Sequence, residues 1–142
     1  MNKLKSRRAF IVGLSSTKIT NKERHFLRKY KPWGVILFAR NIKSVDQTKK
    51  LTNDIKKIFK DSKYPILIDE EGGMVTRIRS IIDNSHFPAK YFGDNYKKDK
   101  TKSLLYLRTY IKQISHLLRY MGISINTVPV LDLSLIHISE PT

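Results

Sequence analysis

The stretch ILIDEEGGMVTRIR runs from Ile66 to Arg79. An apolar run enters three successive carboxylates, Asp69, Glu70 and Glu71, then meets Gly72-Gly73 and the arginines Arg77 and Arg79. A buried strand gains no stability by ending in an acid, and a partly buried carboxylate needs donors around it. The stretch therefore reads as a core strand whose far end carries function. Ionised Asp69 only accepts hydrogen bonds, which suits a ligand rich in hydroxyl donors, such as a sugar. Gly72-Gly73 lets the backbone turn without a Cβ clash. Arg77, six residues past Glu71, has the planar fork of donors to swing back over the same face. Spacing alone leaves two other readings open. Asp69 caps a turn while Glu71 and Arg77 form a structural ion pair, or the clustered oxygens hold Mg²⁺. For the metal, nothing else in the chain supplies a clear second set of ligands.

Outward from this stretch the chain alternates. Residues 9–14 (AFIVGL) and 34–39 (GVILFA) are continuous apolar runs, as is PILI at 65–68. Thr20 and Glu23 form a capping box for a helix to about Tyr30, with Phe26, Leu27 and Tyr30 inward, and Lys31-Pro32 stops it. Ser44 and Gln47 suggest a second box, before a helix with Leu51, Ile55, Ile58 and Phe59 on one face. A long irregular connection is expected over 72–98. From about Lys102 to Met121 a helix carries Leu104, Leu107, Ile111, Ile114, Leu118 and Met121 as its apolar stripe, with Gly122 as the C′ residue. Residues 124–133 read as a fourth strand, irregular at Pro129. Strands apolar on both faces, alternating with helices, predict an α/β fold with a parallel sheet, doubly wound or barrel. Function in such sheets lies at the carboxyl ends of the strands. Three predicted ends carry polar groups: Arg40-Asn41, Asp69-Glu70-Glu71 and Asp132.

Composition bounds the rest. The chain has 142 residues and no cysteine, so neither disulfides nor thiolate metal sites enter. His25, His86 and His116 lack metal-ligand spacing, and His137, Ser139 and Glu140 stand too close in sequence to read as a triad. No apolar run approaches the ~20 residues of a membrane span, and the run from Ala9 to Leu14 is short for a signal peptide. A soluble, cytoplasmic protein is expected. The 28 basic residues against 12 acidic give a net charge of +16. The lysines are scattered from Lys3 to Lys112, mostly on polar helix faces, rather than gathered in a nucleic-acid footprint. No nucleic acid and no membrane partner is expected. A small basic α/β module binding nucleic acid remains the alternative.

Three segments, KPWGVILFARNI (31–42), LIDEEGGMVTRIR (67–79) and INTVPVLDL (125–133), together resemble the N-terminal half of the glycoside hydrolase family 3 barrel. The likeness is to its bacterial β-N-acetylhexosaminidases and covers roughly residues 9–133. It implies a TIM-type (β/α)8 barrel, of which this chain holds about four parallel strands. It implies retaining hydrolysis of terminal, non-reducing β-linked N-acetylglucosamine, with muropeptide fragments as substrates and no cofactor. Asp69 would bind sugar hydroxyls and Arg77 would shape the same subsite. Arg40, Asn41, Glu71 and Asp132 would line the strand ends. Glu70 stands where the family usually has Gln, and Met74 where Arg is common, which alters local ion pairing. The family's aspartate nucleophile and its histidine acid/base come later than the fourth strand, so no catalytic residue is assigned here. The chain alone is expected to be inactive and to fold poorly, with its barrel unclosed. A barrel used only as a binding scaffold is a further alternative. Residues 1–133 are read as the partial barrel domain and 134–142 (SLIHISEPT) as a non-native tail.

Overall fold

A computed structural model describes residues 7–129. Four strands, β1 (Arg8–Gly13), β2 (Pro32–Leu37), β3 (Ile66–Ile68) and β4 (Ile125–Asn126), form one sheet in the order β1-β2-β3-β4. Every pairing is parallel, with Val12 beside Val35, Leu37 beside Ile68, and Ile68 beside Asn126. All four carboxyl ends therefore open on one side. The helices α1 (Asn21–Tyr30), α2 (Val45–Phe59), α3 (Ala89–Lys98) and α4 (Lys100–Tyr120) fill the crossovers. This is the α/β architecture of consecutive β/α units that the alternation predicts. The central strands are buried on both faces: Val35, Leu37, Ile66 and Ile68 are each fully shielded.

Local chemistry explains the boundaries. Thr20 Oγ1 accepts from Glu23 N at 3.2 Å, and Glu23 Oε2 accepts from Thr20 N at 2.8 Å, closing the expected capping box. Ser44 Oγ likewise accepts from Gln47 N at 3.3 Å, but Gln47 Oε1 takes the N–H of Lys43, one residue further out. Helix α2 buries Thr48, Leu51, Thr52 and Ile55, leaving Ile58 and Phe59 partly covered. After α4, Gly122 adopts φ +86, the left-handed C′ residue that its position predicts.

Several expectations need correction. Phe26 is 40% exposed rather than inward; Leu27 alone in α1 is fully buried. Ile111 is 51% exposed. Its neighbour Tyr110 packs against the core instead, while Ile114, Leu118 and Met121 of the predicted stripe are buried. Part of the connection expected to be irregular is helix α3. Among the described residues the fourth strand covers Ile125–Asn126, before a cis Val128–Pro129 bond; residues 130–133 of the expected strand lie outside them. The expected tail, 134–142, lies outside the described residues, as does Asp132. Among the described residues, no helix is long and apolar enough to cross a membrane.

Candidate functional site at the strand ends

The end of β3 sends consecutive side chains to opposite faces, as an extended chain must. Asp69 turns to the rim and Glu70 turns inward. Arg77 Nη2 donates to Asp69 Oδ2 at 3.0 Å. The two side chains are 27% and 23% exposed, so the pair is held by protein yet open to solvent. The other Asp69 oxygen lies 3.3 Å from Thr127 Oγ1, just beyond β4. Arg77 Nε is buried and has no hydrogen-bond partner among the described residues. The pairing foreseen as an alternative, Glu71 with Arg77, is thus replaced by Asp69 with Arg77.

Gly72 and Gly73, at φ +81 and +65, make the reversal possible. A Cβ on Gly72 would sit 2.5 Å from the Phe87 carbonyl oxygen. Glu71 N donates to Val75 O at 3.0 Å across this turn. The chain then runs back beneath Glu70, which is only 3% exposed. Glu70 Oε2 accepts from Arg77 N at 2.6 Å and Ile78 N at 3.2 Å. Its Oε1 accepts from Thr76 Oγ1 at 2.8 Å and Asn84 Nδ2 at 3.3 Å. Close by, burial raises the Tyr110 hydroxyl above its ordinary range, and the Glu70 charge adds to the rise.

At the end of β2 the two singled-out residues part ways. Asn41 is completely buried. Its Nδ2 donates to Leu14 O at 3.1 Å and Ser16 O at 2.9 Å, and its Oδ1 accepts from Phe38 N at 2.9 Å. Asn41 therefore stitches the β1 and β2 loops and does not line a surface, contrary to the expectation. Arg40 Nε donates to Leu14 O at 2.8 Å, and its guanidinium lies 4.6 Å from the Phe38 ring centroid. Arg77 lies 5.7 Å from the same ring. Phe38 is thus the physical link between the ends of β2 and β3, since an aromatic face attracts a cation.

Sequence reasoning missed two residues that hold the site. In the sequence Glu70 stands out only as the middle of three successive carboxylates. Asn126 donates from Nδ2 to Glu70 O and accepts at Oδ1 from Glu70 N, both at 3.0 Å, clamping the end of β3 to β4. The one available signal for Asn126 was a lone amide inside an apolar run. Among the described residues, no three His, Asp or Glu side chains gather as a metal ion would require.

Four parallel strands in sequential order, joined through helices and bearing a solvent-reachable carboxylate–guanidinium pair at their carboxyl ends, define a class: an α/β protein of consecutive β/α units, of barrel type. Residues 3–138 match the glycosyl hydrolase family 3 N-terminal domain, and the chain belongs to that family. It is 30% identical over 125 residues to a beta-hexosaminidase of Xanthomonas axonopodis pv. citri (strain 306), covering 87% of this chain and 36% of that protein. Native NagZ from Neisseria gonorrhoeae superposes with a TM-score of 0.78 at 28% identity, over 91% of this chain and 37% of that one. The same protein in complex with N-trifluoroacetyl-D-glucosamine gives a TM-score of 0.71 at 28% identity, over 91% and 38% of the two chains. The chain thus spans little more than a third of the relatives it matches.

Proposed function

We propose that the whole protein carrying this domain is a retaining β-N-acetylhexosaminidase. It removes terminal, non-reducing β-linked N-acetylglucosamine from muropeptide fragments in the cytoplasm. The observation that carries this reading is the Asp69–Arg77 pair, 3.0 Å apart and reachable from solvent at the carboxyl end of β3. A carboxylate that only accepts and a guanidinium that only donates hold a vicinal diol from both sides. The family membership and the beta-hexosaminidase and NagZ relatives support the sugar class.

In this reading Asp69 accepts from sugar hydroxyls and Arg77 donates to a sugar oxygen while holding Asp69 oriented. Glu71 lines the strand ends, and Arg40 acts through Phe38. No residue of this chain is given the part of nucleophile or acid/base. Those roles belong to later parts of the protein, and the chain by itself is inactive. Neither metal nor organic cofactor takes part, and nucleic acid is not a partner. We take residues 1–133 as barrel and 134–142 as a non-native tail, a division that re-reading the source DNA past codon 133 tests directly.

The deciding experiment is hydrolysis of a chromogenic N-acetyl-β-glucosaminide by the full-length protein. Asp69→Asn and Arg77→Ala each remove a charged hydrogen bond worth about 1.5–3 kcal/mol. Each is expected to lower kcat/KM roughly 10- to 100-fold. An inert full-length protein, or variants with undiminished kcat/KM, overturns the reading.

A further inference from the structure

The geometry points to Glu70 as a positioning residue that sets Arg77 against Asp69; the inference rests on the glycosidase reading above. Its carboxylate meets four donors and no acceptor: the N–H groups of Arg77 and Ile78, the Thr76 hydroxyl and the Asn84 amide. All four lie in the chain that returns after the glycine turn. The Glu70 backbone is in turn fixed on both sides by Asn126 of β4. Glu70 therefore transmits the position of the sheet to the backbone of Arg77. Asp69, one residue earlier, sits on the same anchored segment. The carboxylate of Asp69 and the Cα of Arg77 are thus held to one frame, and the guanidinium closes the gap.

Without the Glu70 side chain, two backbone N–H groups in a buried segment lose their acceptor, and residues 76–78 must shift to find water. A glutamine preserves the arrangement. Its carbonyl oxygen takes the place of Oε2 for both backbone donors. Its NH₂ replaces Oε1, donating to Thr76 Oγ1 and, once the Asn84 amide is turned over, to Asn84 Oδ1. The role needs the shape and the acceptor facing Arg77, not the charge.

The test is a mutant cycle in the full-length protein, read as kcat/KM on a chromogenic N-acetyl-β-glucosaminide. Glu70→Ala is expected to lower kcat/KM by up to about 10²-fold, the cost of a small misplacement at a reacting centre. Glu70→Gln is expected to recover most of that loss. Because Glu70 acts through Arg77, Glu70→Ala/Arg77→Ala is expected to be no worse than Arg77→Ala alone. An unchanged Glu70→Ala variant overturns the inference, as do fully additive losses in the double variant. Where circular dichroism shows Glu70→Ala unfolded, the same cycle with Thr76→Val decides, by the same non-additivity. An unsubstituted protein with no activity overturns the glycosidase reading and this one with it. An active one with additive losses overturns only this one.

Discussion

Tyr64 is completely buried, yet it keeps a polar end. Its hydroxyl donates to Pro32 O at 2.8 Å, tying the entry of β3 to the first residue of β2. Phe59 stacks on its ring at 3.9 Å and 3° between planes, and the Arg7 guanidinium sits 4.7 Å from its centroid. Arg7 also pairs with Asp61. Burial pushes the Tyr64 hydroxyl well above the usual tyrosine range, the Arg7 charge opposing it only in part, so it stays a donor. Tyr64→Phe keeps the packing and removes the bond, and is expected to cost about 1 kcal/mol in urea unfolding. Gly72→Ala strikes harder, because it combines a left-handed φ with a Cβ driven onto the Phe87 carbonyl. A loss of about 1–3 kcal/mol is expected for it in the same measurement. At this scale the neighbourhood is legible only in part: spacing brings Arg77 back over the carboxylates but leaves Asp69 and Glu71 both open as its partner, and the 3.0 Å contact selects Asp69. Glu70 and Asn126 were not legible, because their partnership spans 56 positions and needs the strand order to be known. Asn41 was misassigned for the same reason: a polar residue after a strand looks like site lining until its acceptors on the β1 loop are visible.

Elements show the same division. Capping is local chemistry, so the start of α1 was readable, and Glu23 proves to serve three groups. It accepts from Ser15 N at 2.7 Å as well as from the Thr20 N–H and hydroxyl. Partial burial alone would raise its pKa; the hydrogen bonds from Ser15 and Thr20 outweigh this and lower it. A folded-state pKa below the unfolded one means the contribution is complete above the ordinary glutamate value and is lost as pH falls through the depressed one. Thr20→Ala is expected to cost about 1 kcal/mol at neutral pH. That difference from the unsubstituted chain should shrink as acidification carries the pH through Glu23's depressed pKa and protonates it in both. Thermal melts of the two chains across this range check it. Helix α3 was illegible for an equally physical reason. It buries no residue, and it packs on α4 through rings such as Phe92 and Tyr110, 5.3 Å apart, a partnership between elements that only the fold displays.

At the scale of the whole molecule the parallel sheet has a consequence for association. Among the described residues β1 pairs with β2 alone, and Ile11, in the middle of β1, is 45% exposed. Beside it a hollow of about 260 Å³ is lined by Val12, Gly13, Leu14, Glu23, Phe26 and Leu27. The exposed Phe26 that departed from its predicted inward place belongs to this surface. An apolar strand with unpaired backbone groups is a template for another strand. The 142-residue chain is therefore expected to self-associate at micromolar concentrations, despite a net charge of +16 that opposes it. Sedimentation velocity should show association that strengthens with added salt, since screening removes the repulsion and leaves the apolar contact. Ile11→Lys places a charge on the open edge at a position that is already half in water. It should restore the monomer while leaving the urea midpoint nearly unchanged. Persistent oligomers in Ile11→Lys would move the contact away from β1, and a wild-type chain that stays monomeric in high salt would mean that this edge is already covered.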